Sequence, residues 1–102
     1  MLHSEAHVAT ERASIYLQQL CKHFAHRLPV EFTPDHGQIT FSVGTCRLAA
    51  DAGVLTLHAQ AEDAALLAQL QGVVDKHLLR FAFRDPPEIV WVDKPTGANP
   101  AT

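Results

Sequence analysis

An apolar pattern of helical spacing that ends at a proline limits the possible folds more than any other part of the sequence. The proline at position 29 cannot continue a helix, and it biases Leu28 toward an extended backbone. Residues 30–33 then alternate as in a strand. We therefore predict a helix that begins at an N-cap, Thr10, and passes directly into a strand. Its apolar stripe consists of Ala13, Leu17, Leu20, Cys21, Phe24 and Leu28.

Three more alternating segments follow, separated by turns at residues 34–37, 44–45 and 51–53. We expect Gly44 to occupy the first position of a two-residue hairpin turn. The other face of these strands is polar, with residues such as Thr40, Arg47 and His58. The residues predicted to face the core are Ile39, Phe41, Val43, Cys46, Leu48, Ala50, Leu55, Leu57 and Ala59.

A second helix is predicted after Glu62 and Asp63, whose negative charges suit the first turn of a helix. Gly72 lies within this helix at a cost of about 1 kcal/mol relative to alanine, and we expect a close crossing with the first helix or the sheet there. Two prolines at 86–87 end the segment, and residues 88–92 read as a last strand. The apolar face of the helix consists of Leu66, Leu67, Leu70, Val73, Val74, Leu78 and Phe81.

The element order α-β-β-β-β-α-β predicts an α+β, two-layer sandwich with both helices on one face of an antiparallel sheet. A right-handed crossover through the second helix makes the fifth strand parallel to the fourth, and so allows it to pair beside the first. The predicted strand order is 5-1-2-3-4. We expect one domain at residues 10–92, a flexible arm at residues 1–9 and a disordered tail at residues 93–102.

The composition favours an ordinary soluble domain. The chain has 102 residues, of which 47% are hydrophobic and 19% charged, and a net charge of −3. Nucleic-acid binders carry a concentrated basic face, so we expect no nucleic-acid partner. No apolar run approaches the ~18 residues that cross a bilayer, and no secretory signal is visible, so we expect no membrane partner and a cytoplasmic location. Cys21 and Cys46 are expected to be buried free thiols.

Two histidines near the end of the first helix, His23 and His26, are three residues apart and therefore share a face. Neutral imidazoles bind zinc or iron, and His77 on the second helix is the best candidate for a third ligand. The plain alternative is that these histidines are solvated or packed, because cationic side chains favour the C-terminal end of a helix. No metal or other cofactor is required by the sequence, and a site for iron or zinc remains one of the two interpretations.

A second cluster of positive side chains, Arg80 and Arg84 with His77, lies at the end of the second helix. It is either another favourable pairing with the helix dipole or a site for a carboxylate or phosphate. The candidate ligand-binding residues are Tyr16, His23, His26, Arg80 and Arg84. No catalytic residues are identified. An enzyme that uses His23 or His77 as a general acid or base between the helices is the alternative to a binding module.

Nearly all of residues 8–92 resemble a bacterial family known as domain of unknown function 2218, most specifically in the run from Tyr16 to His26 and then Pro29 to Phe32. Further matches are Gly44-Thr45-Cys46, Leu48-Ala49-Ala50 and the segment from His77 to Arg84. Domains similar to this family occur alone or joined to siderophore-interacting flavin reductases. The resemblance implies a non-enzymatic accessory role in iron handling, with a ferric siderophore or such a reductase as partner. The polar sheet face leaves a homodimer, or a dimeric protein-interaction domain, as a further alternative.

Overall fold

A computed structural model describes residues 1–84 and 86–94 of the chain. These residues form six strands and two α-helices. Their bounds are β1 Leu2–Ala9, α1 Ala13–Phe24, β2 Val30–Phe32, β3 His36–Phe41, β4 Gly44–Asp51, β5 Val54–Ala61, α2 Ala64–Phe81 and β6 Trp91–Lys94.

The six strands form one antiparallel sheet in the order β2-β3-β4-β5-β1-β6. Both helices cover the same face, since α1 contacts β2 to β5 and α2 contacts β1, β4 and β5. The predicted α+β, two-layer antiparallel sandwich is therefore confirmed. The predicted strand order is wrong, because the last strand pairs with β1 at the far edge and not with β2.

The first nine residues are not a flexible arm. Leu2–Ala9 forms β1, which pairs with β5 over its whole length and with β6 through His3 to Ala6. Its inward side chains are small: Ala6 and Val8 are fully buried, and Ser4 accepts a hydrogen bond from Gln71 Nε2 at 2.7 Å. The residues of β1 therefore lie in the interior of the sheet.

The predicted tail begins at 93, but Asp93 and Lys94 belong to β6, and residues 95–102 lie outside the described part of the chain.

The helix starts differ in how their first turn is stabilised. Asp63 is the N-cap of α2, and its carboxylate accepts a hydrogen bond from the Leu66 N–H at 2.8 Å. Its negative charge also interacts favourably with the helix dipole. Helix α1 begins at Ala13, later than predicted. The Thr10 hydroxyl accepts a hydrogen bond from the Arg12 N–H at 3.1 Å in the turn that precedes the helix, so Thr10 is not its N-cap.

The core lies between the helices and the covered face of the sheet. The inward residues predicted for the strands are buried or half-buried, and Cys21 and Cys46 are buried free thiols, as expected. Burial raises the pKa of the Cys21 thiol to about 11 and that of Cys46 to about 12. Tyr16 is the exception among the α1 residues, because it was predicted on the exposed side and only 7% of its surface is exposed. Its ring adds to the core, while the side chain still lines a surface groove described below.

Two glycines do not have the roles predicted from the sequence. The β3–β4 hairpin turns at residues 42–43, and Gly44 pairs with Phe41 as the first residue of β4. A β-carbon at Gly44 would collide with the backbone carbonyl of Gln60. The glycine is therefore required by the close approach of β5 and not by the conformation of the turn. Gly72 has no atom within 4 Å of a built β-carbon, so no close crossing occurs there.

Neither helix in the described ranges is long and apolar enough to span a bilayer.

Candidate functional site

The end of α1 brings His23 against the second helix. The centroids of the His23 and His77 rings are 4.9 Å apart, with Phe24 and Phe81 packed edge-on against His23. His77 Nδ1 lies 2.8 Å from the carbonyl oxygen of Val73 and must donate to it, which leaves His77 Nε2 as the acceptor of a neutral ring. His23 and His77 are therefore in contact, as the metal hypothesis requires of these two residues.

The electrostatic environment of this histidine pair is positive. Burial lowers the pKa of His23 from its ordinary value of 6.5, and the charges of His77, Arg80, His26 and Arg27 lower it further, in that order. Arg80 is thus close enough to act on His23. Neutral imidazoles are the form that binds metal, but neighbouring guanidinium groups disfavour a bound cation.

The three-ligand version of the metal site is not formed. His26 lies in the exposed turn after α1, and within residues 1–84 and 86–94 no three His, Cys, Asp or Glu side chains are arranged to hold a metal ion. The structure therefore pairs His23 with His77 without completing a three-histidine site. The reason is local: the helix ends at Phe24, so His26 does not stay on the helical face that the i, i+3 spacing assumes.

A second part of the predicted site lies further along the two helices. Tyr16 and Arg84 line one groove of about 400 Å³, with Arg12, Gln19, Ile15, Phe81 and Phe83 as the other lining residues. Arg84 lies over the Phe83 ring, with its guanidinium carbon 5.6 Å from the ring centroid. The groove, which we call the arginine groove, combines two guanidinium groups with an aromatic wall. Neither His23 nor His77 lines it, so the histidines that the enzyme alternative uses as general acid or base do not line this cavity.

The five predicted ligand-binding residues consequently divide into two neighbouring groups. Tyr16 and Arg84 lie in the arginine groove, while Arg80 and His26 lie near His23. Phe81 connects the two groups, since its ring lines the groove and its centroid is 5.9 Å from that of His23. The two helices run in opposite directions, so the end of α2 lies beside the start of α1, where Arg12 and Arg84 line the same groove.

The uncovered sheet face carries the polar residues predicted for it, such as Arg47 and His58, together with His3 and Glu5 of β1, which the sequence did not single out. A groove of about 620 Å³ crosses it, with Glu5, Arg47, His58 and Thr56 among its lining residues. His3 Nδ1 is 3.0 Å from His58 Nε2, and Glu5 Oε2 is 3.8 Å from His58 Nδ1. Burial lowers the pKa of His58, as does the neighbouring His3, whereas Glu5 raises it. Hydrophobic alternation along residues 2–9 is too weak to reveal this cluster from the sequence, although the strand formed there places His3, Glu5 and His7 on one face.

Comparisons with known proteins agree with this architecture. Residues 5–92 match the model of a family described as "Uncharacterized protein conserved in bacteria", the domain of unknown function 2218. The chain belongs to this family. It is also similar to a solved structure, the NMR structure of PA4090 from Pseudomonas aeruginosa, with 39% sequence identity and a TM-score of 0.77. The match covers 90% of this chain and 96% of that one. No curated protein is significantly similar to the chain.

Family membership confirms the resemblance found in the sequence and supports the fold. The chain is a bacterial domain of unknown function, and neither the family description nor the name of the solved relative states an activity, a ligand or a partner. The functional question therefore rests on the grooves and side chains described above.

Proposed function

We propose that this member of the family is a non-enzymatic binding module that takes an anionic, ring-bearing ligand in the arginine groove. In the setting of iron handling that the family resemblance suggests, the ligand class is a ferric catecholate siderophore. The observation that carries this proposal is the placement of Arg12 and Arg84 in one groove with the Tyr16 side chain and the rings of Phe81 and Phe83.

The chemistry of the groove matches such a ligand. A ferric tris-catecholate complex presents negatively charged oxygens at the edges of planar rings. Guanidinium groups donate paired hydrogen bonds to anionic oxygens and also stack on aromatic planes, which an ammonium group does less well. A volume of about 400 Å³ falls within the range of small-molecule sites and suits one aromatic arm of the complex.

The charge distribution supports the same assignment. The chain as a whole carries −3, so a general attraction for anions is not available. Positive charge is instead concentrated along the two helices, where Arg12 and Arg84 line the groove and Arg80 and Arg27 act on the adjoining His23. Such a local field favours an anionic ligand at this surface over the rest of the protein.

The test is a calorimetric titration with a ferric tris-catecholate complex. We expect Arg84→Gln and Arg12→Gln each to weaken binding by about 10-fold or more, since a hydrogen bond to a charged group contributes about 1.5–3 kcal/mol. Arg12 is suited to this substitution because its side chain makes no cap hydrogen bond to α1. The matched control is Arg47→Gln, an exposed arginine on the opposite sheet face, for which we expect the affinity to stay within twofold.

Two results would contradict the proposal. One is the absence of binding to the unsubstituted protein. The other is binding that both groove substitutions leave unchanged. A titration with the iron-free catecholate separates recognition of the ring from recognition of the charged complex, and we expect the weaker affinity for the iron-free form.

A further inference from the structure

Two histidines face each other on the sheet surface that the helices leave uncovered. His3 in β1 and His58 in β5 lie diagonally across the strand pair, because Glu5 is the register partner of His58 and Gln60 is that of His3. His3 Nδ1 and His58 Nε2 are 3.0 Å apart, and the ring centroids are 5.2 Å apart. With no metal bound, one ring donates a hydrogen bond to the other.

The second nitrogen of His58 faces a carboxylate. Glu5 Oε2 is 3.8 Å from His58 Nδ1, which is longer than a hydrogen bond but close enough for electrostatic attraction. This attraction favours the proton on Nδ1 and leaves the lone pair on Nε2, directed toward His3. Glu5 in turn lies 3.6 Å from Lys94 Nζ and 3.4 Å from His7 Nε2, so its position is fixed from both sides.

We infer that His3 and His58 form a two-nitrogen chelate for a divalent transition metal of tetragonal preference, Cu(II) or Ni(II). The separation of the nitrogens carries the geometric argument. With metal–nitrogen bonds of about 2.0–2.1 Å, two nitrogens 3.0 Å apart subtend an angle of about 90° at the metal. That angle is the one between neighbouring positions in a square-planar or octahedral complex, and imidazole suits copper and nickel.

Metal binding replaces the hydrogen bond between the rings. The proton on His3 Nδ1 moves through solvent to His3 Nε2, so both rings stay neutral and each offers one lone pair. A carboxylate near the remote nitrogen of a metal-bound histidine orients the ring and increases its basicity, which is the role that this geometry gives to Glu5. Arg47, the register partner of His58 in β4, and Lys94 oppose the metal's charge, and Glu5 offsets part of that repulsion.

Within the described part of the chain, His3 and His58 are the two protein ligands of this site. Over residues 1–84 and 86–94, no set of three His, Cys, Asp or Glu side chains is arranged around one point, so solvent or an added ligand occupies the remaining positions. The site opens into the groove of about 620 Å³, where His58 and Glu5 are lining residues. The metal is therefore expected to remain accessible to small ligands from that groove.

The experiment is a titration of the protein with Cu(II), followed by calorimetry and by electron paramagnetic resonance. We expect one copper per chain with two imidazole nitrogens, and an affinity at least 10-fold weaker in His58→Gln and in His3→Gln. Glu5→Gln should weaken binding by about 10-fold through the outer-shell effect. His36→Gln, an exposed histidine in β3 on the same sheet face, is the matched control and should bind as the unsubstituted protein does.

His58→Gln is the decisive variant, because it leaves His3 and the backbone that precedes it intact. If copper bound only through that backbone and His3, His58→Gln would bind as well as the unsubstituted protein, and the inference would be overturned. A second measurement does not depend on the folding of any variant. Bound Cu(II) should broaden the NMR signals of amides near His3 and His58 in the unsubstituted protein, and selective broadening near His23 and His77 instead would refute the assignment.

Discussion

The close approach of α1 to β3 gives a quantitative test of the packing. A β-carbon built on Gly37 lies 2.7 Å from Cys21 Sγ and 3.4 Å from Leu17 Cδ2 and Phe32 Cβ. Favourable carbon contacts have separations of about 3.5–4.0 Å, so the sulfur must retreat by about 1 Å to admit a methyl group. Cys21 is fully buried, which leaves little room for that movement.

We expect Gly37→Ala to destabilise the fold by about 1–2 kcal/mol. Overpacking of a core costs about 1–3 kcal/mol, and the reduced entropy of the unfolded chain offsets about 0.4–1 kcal/mol of that cost. The Gly37 backbone does not itself oppose alanine, since Gly53 is the residue with a positive φ among those described. Cys21→Ala alone removes one buried sulfur and should cost about 1 kcal/mol, as small core truncations do.

The two substitutions should compensate each other when combined. Removal of the sulfur creates the space that the new methyl group needs, so we expect a favourable coupling energy of about 1–2 kcal/mol in the double-mutant cycle. Urea unfolding followed by far-UV circular dichroism measures all four corners of the cycle. Gly44→Ala is the matched control, because its β-carbon meets the Gln60 backbone carbonyl, which Cys21→Ala cannot move. Additive effects of Gly37→Ala and Cys21→Ala, within about 0.5 kcal/mol, would refute the reasoning.

Three further predictions concern other parts of the fold. Gly72→Ala should stabilise the protein by about 0.5–1 kcal/mol, since the site is open and α2 gains helix propensity; destabilisation in urea would show a contact that the structure lacks. Trp91 Nε1 donates to Asp75 Oδ1 at 2.8 Å, so Trp91→Phe should cost about 1.5–3 kcal/mol by circular dichroism, whereas Asp75→Asn keeps an acceptor and should cost less. Because the pKa of His23 is lower in the folded protein than its ordinary 6.5, the unfolded chain binds more protons, and stability should fall as the pH drops below about 6.5 toward the folded pKa. In His23→Gln this loss should be smaller, and an unchanged pH profile would contradict the assignment.

The helices and the inward faces of β3 to β5 could be predicted because each depends on strong local contrast between apolar and polar residues. Large apolar residues alternate with polar ones in β3 to β5, and α2 begins at Ala64, directly after the two acidic residues that were predicted to lie in its first turn. Local signals also located the buried thiols. The start of α1 was misplaced because Thr10 can accept from a backbone N–H in a turn as well as at a helix N-cap, and the sequence does not distinguish these two uses.

The candidate site was predicted only in part, for a related reason. The i, i+3 spacing of His23 and His26 indicates a shared face only while the helix continues, and α1 ends at Phe24. Contact between His23 and His77 follows from the antiparallel packing of α1 and α2, which periodicity in either helix does not specify. The same packing brings Arg12 and Arg84 into one groove, although they are far apart in the sequence.

The strand order shows how one weak element changes a whole topology. The inward positions of β1 include Ser4 and Ala6, so hydrophobic contrast along residues 2–9 is low and no strand is evident from the sequence. The inward hydroxyl of Ser4 is tolerated because Gln71 donates to it from α2. Once β1 pairs with β5, the right-handed crossover through α2 must carry the last strand past it, to the free edge of β1. The predicted direction of that strand, parallel to β5, is therefore correct although its neighbour is wrong. The same pairing places His3 and Glu5 beside His58, so the error that misplaced the edge of the sheet also concealed the histidine pair on its open face.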